Sequence, residues 1–191
     1  MTLITESDES DALRVRIEPW TAADLALLRR TNTPAMTHHL GGPETEEQLL
    51  ARHARYLDLH GAGQMFRIVL APEDTVVGSI GYWQLNLRPE TAHGPADGAK
   101  CETGWGVLPE FQGRGIAVAA ARQVIAAAGA DGRYRSLHAF PSVDHPASNA
   151  VCRKAGFQLV GERPFEYPKG RMMRCNEWRL ALGGRGSGRG Q

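Results

Sequence analysis

The sequence predicts an α+β fold, with one mixed, mostly antiparallel sheet of about six to seven strands and about four helices packed against it. Two observations point there. Runs that alternate apolar and polar residues, as half-buried strands do, are interspersed with runs whose apolar residues recur at helical spacing. Several strand-like runs are also joined by turn-forming residues alone, which favours hairpins over the regular strand–helix alternation of a doubly wound parallel sheet. With 191 residues and 42% hydrophobic content the chain can close one ordinary core. Residues 1–11 read as a disordered lead, 12–182 as one folded domain and 183–191 as a disordered Gly/Arg tail.

The elements follow in order. ALRVRIEPW alternates as a strand with one buried face. Thr21 then precedes AADLALLRRT with Asp24 three residues on, close to a capping box, and Asn32 and Pro34 end that helix. TPAMTHHLGGPE reads as a loop. From Glu44, acids fill the first turn and Leu49, His53, Tyr56 and Leu57 recur at helical spacing until Gly61 and Gly63. QMFRIVLAP and TVVGSIGYWQL, joined through PEDT, predict an antiparallel hairpin. RPETAHGPADGAK is a longer connector. CETGWGVL is a strand that runs through a glycine corner into an alanine-rich helix ending near GADGR. SLHAF is a short strand, Pro146 to Ala155 a helix stopped by Gly156, and FQLVGERPF and MMRCNEWRLAL are the last two strands.

Composition narrows the function classes. A formal net charge of +1 offers no broad field for nucleic acid or an anionic membrane. No basic start with a long apolar run and no apolar stretch of ~20 residues marks a secretory signal or a membrane span, so the expected location is the cytoplasm. Cys101, Cys152 and Cys175 are an odd number at wide spacing, without a CxxC pair, so no disulfide framework and no metal site is expected.

The corner Gln112-Gly113-Arg114-Gly115-Ile116-Ala117 carries the strongest chemical signal. The first amides of a helix have no intrahelical acceptor, the helix dipole favours an anion, the glycines permit close approach and Arg114 adds positive charge. A diphosphate would fit. A tight turn serving only packing is the bland alternative, and the Walker and dinucleotide patterns are both incomplete here.

With Val107, Gln112, Gly115 and Ala117 in a Val-x-x-x-x-Gln/Arg-x-x-Gly-x-Gly/Ala pattern, and Asn149, Lys154, Gly156 and Phe157 in SNAVCRKAGF, the chain resembles the GNAT superfamily of N-acetyltransferases. ETGWGVLPEFQGRGIA and the closing RCNEWRL resemble the branch that includes ribosomal-protein N-terminal alanine acetyltransferases, the RimJ/RimL-like enzymes. The resemblance implies a single acetyltransferase domain, acetyl-CoA as co-substrate, an amine acceptor (a protein N-terminus or a small amine) and direct attack without an acyl-enzyme. It implies that the pantetheine arm lies along Trp105, Val107 and Leu108, with the Val107 or Leu108 amide polarising the thioester. The diphosphate would rest on Gly113, Arg114, Gly115, Ile116 and Ala117, with Gln112 opening the loop, and Asn149 would contact the pantetheine or shape the thioester pocket. Pairing of two copies through edge strands is a further implication.

Acyl transfer to an amine needs a base and a proton for the departing thiolate. Glu102, near the start of the motif strand, is the first candidate base, unless it caps a neighbour or closes a salt bridge. Glu110 reads as solvated. Where the family commonly places a tyrosine acid, this chain has Cys152, a candidate acid or simply a small core residue; Ser148 and water are other donors. His38, His39 and Gly41, with Gly42, would line one wall of the acceptor pocket, against the alternative of exposed loop polarity. Trp83, Tyr82 and the connector through His93 and Asp97 would form the opposite wall, or Trp83 and Tyr82 simply pack in the core. Trp20 and Trp178 are assigned to the core, and Arg185 and Arg189 to a solvated tail. The competing function is a CoA-binding module of the same fold without catalysis, and after it a structural protein with no nucleotide site.

Overall fold

Antiparallel neighbours build most of the sheet. The structure, a computed structural model, describes residues 14–85, 99–166 and 170–183. The expected lead 1–11, the connector residues His93 and Asp97, and Arg185 and Arg189 of the expected tail lie outside the described residues. Seven strands, β1 (Val15–Pro19), β2 (Gly63–Leu70), β3 (Thr75–Gln84), β4 (Lys100–Val107), β5 (Ser136–Ala139), β6 (Gln158–Glu166) and β7 (Met172–Ala181), form one sheet in the order β1-β2-β3-β4-β5-β7-β6. The β4–β5 pair is parallel and the other five neighbouring pairs are antiparallel. The expected α+β class and mixed sheet are what the chain forms.

Five helices, α1 (Leu25–Thr31), α2 (Pro34–Thr37), α3 (Glu46–Leu57), α4 (Ile116–Asp131) and α5 (Pro146–Ala155), are present among the described residues. The Thr21 N–H donates to Asp24 Oδ2 at 2.7 Å, the reciprocal bond that a capping box needs. Thr45 and Gln48 cap α3 in the same way. The TPAMTHHLGGPE segment departs from the expected loop: it holds α2 and a 3-10 turn at His38–Leu40. Thr33 caps α2 through the Met36 N–H and Pro34 occupies its first position, where no amide is needed. Four residues are too few for hydrophobic periodicity to register.

The two faces of the sheet carry separate cores. On one face α4 presents Ile116, Ala120, Val124 and Ala128 at four-residue spacing to Ile68, Ile80, Cys101 and Leu137, together with Cys152 of α5. On the other face Leu27 and Leu28 of α1 and Leu49 of α3 pack with Trp20, Met65 and Leu108. Gln123 of α4 bonds the Ile17 N–H and the Val15 carbonyl, satisfying groups on the open edge of β1. Trp20 and Trp178 are buried as expected. Among the described residues, no helix is long and apolar enough to cross a membrane.

Candidate active site

The decisive feature is that β4 loses one neighbour before it ends. Its pairing with β5 stops at Glu102–His138, whereas its pairing with β3 continues to Val107–Gly78. A wedge therefore opens between β4 and β5 beyond Glu102. The Leu108 N–H donates to the Val77 carbonyl at 2.8 Å, and alternate amides of an antiparallel strand point to the same neighbour. It follows that the amides of Trp105 and Val107 face the wedge. Of the two backbone groups expected to polarise a thioester, Leu108 is therefore corrected: its N–H is held by β3 and its side chain is in the core with Trp20 and Leu28. Val107 keeps that orientation.

At the end of β4 a 3-10 turn, Pro109–Phe111, leads into the corner. Gln112 Nε2 donates to the Val107 carbonyl at 2.8 Å and so ties the loop to the strand. Gly113 and Gly115 have φ of 76° and 78°, a region that glycine enters without strain. A Cβ added at either would meet nothing within 4 Å. The space at both Cβ positions is open, and the first amides of α4, which follow the Gly115 N-cap, have no intrahelical acceptor. Arg114 lies 5.9 Å from the Phe111 ring centroid, which keeps its guanidinium at the rim. Ile116 is buried in the core and Ala117, half-buried, packs against it.

Glu102 stands on the face of β4 that also carries Gly104 and Gly106. Burial pushes its carboxyl up to about 7, although a hydrogen bond from Trp83, whose Nε1 is 3.3 Å from Oε2, pulls it down. A carboxylate near neutrality suits a general base. Beside it in register, buried His138 is held by Ser136 Oγ at Nε2 (2.9 Å) and by Glu177 Oε1 at Nδ1 (2.8 Å). Burial would raise the Glu177 carboxyl, but His138 and Arg163 outweigh it and hold the group below the usual carboxylate range. Ser136, His138, Arg163 and Glu177 were not singled out by sequence, since only the pairing of β5, β7 and β6 brings them together. Met36 completes this face above Gly106.

The chain matches the acetyltransferase (GNAT) domain family over residues 14–158. It belongs to the GNAT family of acetyltransferases. Among solved structures, RimL, the ribosomal L7/L12 alpha-N-protein acetyltransferase in complex with coenzyme A, superposes with a TM-score of 0.69 at 20% identity, covering 88% of this chain and 94% of that one. The spermidine N-acetyltransferase from Vibrio cholerae in complex with CoA and spermine gives a TM-score of 0.69 at 15% identity, covering 88% and 95%. An aminoglycoside acetyltransferase in complex with coenzyme A gives the same values. At these identities the likeness is one of fold. No match is found among curated proteins.

Several expected residues of this acetyltransferase take different parts. Cys152 is fully buried between α4 and the sheet, and burial pushes its thiol up to about 12. Donation from it to a thiolate of ordinary pKa, about 8.5, is uphill, which corrects Cys152 from acid to core residue. Asn149 donates to the Ser142 and His145 carbonyls and accepts from Asn176 and Trp178 Nε1. These four partners fix its side chain between the start of α5 and β7. His38 is exposed, while half-buried His39 stacks on His145 at 4.3 Å between centroids, joining the α2 segment to the start of α5. Burial, and secondarily His39, hold the His145 imidazole below its ordinary value. Gly41 and Gly42 follow with φ of 99° and 98°. Trp83 and Tyr82 part company: Trp83 faces Glu102, whereas Tyr82 is buried on the other face and donates to Asp131. Glu110 is exposed and pairs with Arg30. The three cysteines are free and buried, and among the described residues no group of His, Cys, Asp or Glu is arranged to hold a metal.

Proposed function

We propose that this chain transfers the acetyl group of acetyl-CoA to a primary amine, either a protein N-terminus or a small amine, by direct attack. The observation that carries the reading is the coincidence on one strand of three features: a wedge edge, a glycine cradle at its end and a near-neutral carboxyl on its face. The donor set fits the cofactor. Open backbone amides and positive-φ glycines suit a diphosphate, and outward amides of Trp105 and Val107 suit an extended amide-bearing arm. When bound, acetyl-CoA supplies an activated acetyl thioester.

The chain's own groups then divide the work. Gly113, Arg114, Gly115, Ile116 and Ala117 hold the diphosphate through main-chain amides, and Gln112 fixes their approach. The Val107 N–H polarises the reacting carbonyl. Glu102 takes the proton of the acceptor ammonium, directly or through a water, so that the amine is neutral when it attacks. Water is the proton donor to the departing thiolate. Met36, His39, Gly41 and Trp83 form the acceptor side. Three free thiols suit a reducing cytoplasm. RimL is an N-terminal protein acetyltransferase and the Vibrio cholerae structure holds spermine, which defines the acceptor panel to screen. The test is release of free thiol from acetyl-CoA with peptides bearing a free N-terminus, with spermidine and with an aminoglycoside. Turnover with one class names the acceptor. Stabilisation by acetyl-CoA with no thiol release from any of them would favour the non-catalytic module.

A further inference from the structure

Adjacent strand residues point to opposite faces, and Trp83 is the one in β3 that stands directly across from Glu102. Its indole does two things there. The ring lies over Gly104, where an added Cβ would come within 3.1 Å of Cη2, so the absence of a side chain at 104 lets the ring lie flat against β4 beside the carboxyl. The N–H reaches Oε2 at 3.3 Å and leaves Oε1 without a hydrogen-bond partner among the described residues. The geometry points to Trp83 as the positioning residue for Glu102, fixing one carboxylate oxygen so that the other is presented to the acceptor, with Gly104 as the gap that admits the ring. The inference rests on the reading of Glu102 as base.

The remaining neighbours leave this role to Trp83. The titratable and charged groups around this face are Lys100 on β4, His138 on β5, Cys175 and Glu177 on β7, and Arg163 on β6. Glu177 is bound to His138 and paired with Arg163. Burial, then the Glu102 charge, pushes the Cys175 thiol up to about 11, so it stays neutral where Glu102 titrates. Trp83 and Met36, from β3 and α2, carry no titratable group. A 3.3 Å bond is long for N–H···O and can shorten toward the ~2.7–2.9 Å typical of an ionised acceptor. The indole therefore favours the carboxylate over the acid, opposing the burial that the same ring helps impose.

The experiment compares wild type with Trp83→Phe, which keeps an aromatic ring and removes the N–H. Carbon-13 carboxyl titration of the ligand-free protein, with Glu102→Gln identifying the resonance, reads the base without turnover. The carboxyl is expected to titrate near 7 in wild type and about one unit higher in Trp83→Phe, the size expected for one bond to a charged group. The pH profile of kcat should move by the same amount, while the acetyl-CoA thermal shift stays that of wild type. Should Trp83→Phe lose that thermal shift, Gly104→Ala carries the test, since its methyl displaces the ring tip and should move the titration the same way. An unmoved carboxyl in a folded variant would overturn the inference. A carboxyl that moves while the kcat profile does not follow, or full turnover in Glu102→Gln, would instead remove Glu102 as base and Trp83's role with it.

Discussion

The corner after β4 and the face around Glu102 lie within about a dozen residues of each other, yet they are built in opposite ways. The corner works through main chain: its glycines adopt positive φ, the space at their Cβ positions is open, and the Gln112 side chain ties it to Val107. The Glu102 face works through side chains drawn from β3, β4, β5, β7 and α2. A cradle made of amides tolerates side-chain variation and fails when something fills it. A half-buried carboxyl depends on what register brings across from it and on the room its own strand leaves at Gly104.

The largest effect that sharpens this contrast is Gly115→Asp. A carboxylate beside the diphosphate should weaken acetyl-CoA binding by 100-fold or more, on the order of 3 kcal/mol, as titration calorimetry would record. The fold should survive, because a Cβ at position 115 meets nothing within 4 Å and Asp enters the left-handed region more readily than most residues. Normal affinity in that variant would mean the amides are not the anion site.

Next comes Glu102→Gln, with turnover down by roughly 10²–10⁴ and acetyl-CoA affinity unchanged. Its stability carries a second signature. The folded carboxyl is raised from its ordinary 4.5 to about 7, so the native state binds more protons than the unfolded chain between those values. Stability therefore falls as pH rises through that window and stays lower above it. Removing the charge should stabilise the fold at pH 8 by up to roughly 3 kcal/mol and change little at pH 4. Equal melting temperatures of the two proteins at pH 8 would contradict the burial of this group.

How much of this was legible in the sequence follows from the same contrast. The corner was legible as a strand–turn–helix junction because its code is local: Val107, Gln112, Gly115 and Ala117 fall within eleven positions, whereas the positive φ of Gly113 and Gly115 is seen only in the structure. The strands, α4 and α5 were readable from alternation and from glycine stops such as Gly156, whose φ is 97°. Glu102 was legible as a candidate, but its environment was not. His138 and Glu177 are 39 residues apart and meet across the β5–β7 ladder. Trp83 looked like a wall or core residue until register set it opposite Glu102. Cys152 sat at the family's acid position, and only the packing of α5 showed it sealed in the core.

Two smaller effects separate framework from chemistry. Asn149→Ala leaves the buried Trp178 indole N–H unpartnered and should cost about 2–3 kcal/mol in denaturant unfolding, with kcat per folded molecule near wild type. A sharp fall in kcat without loss of stability would return Asn149 to the reacting groups. Cys152→Ala should leave kcat within about twofold and cost roughly 1 kcal/mol of stability from the small cavity. A hundredfold loss of turnover there would restore the thiol as acid.

The central claim is that the corner holds acetyl-CoA, and the most direct measurement is the melting temperature of the intact protein with and without it. At about 100 times its dissociation constant the ligand should add about 2.7 kcal/mol to the folded state, a clear rise. Equal concentrations of ATP or NAD should give none. A melting temperature that acetyl-CoA leaves unmoved, or that all three raise alike, would contradict the claim and reduce the corner to a turn.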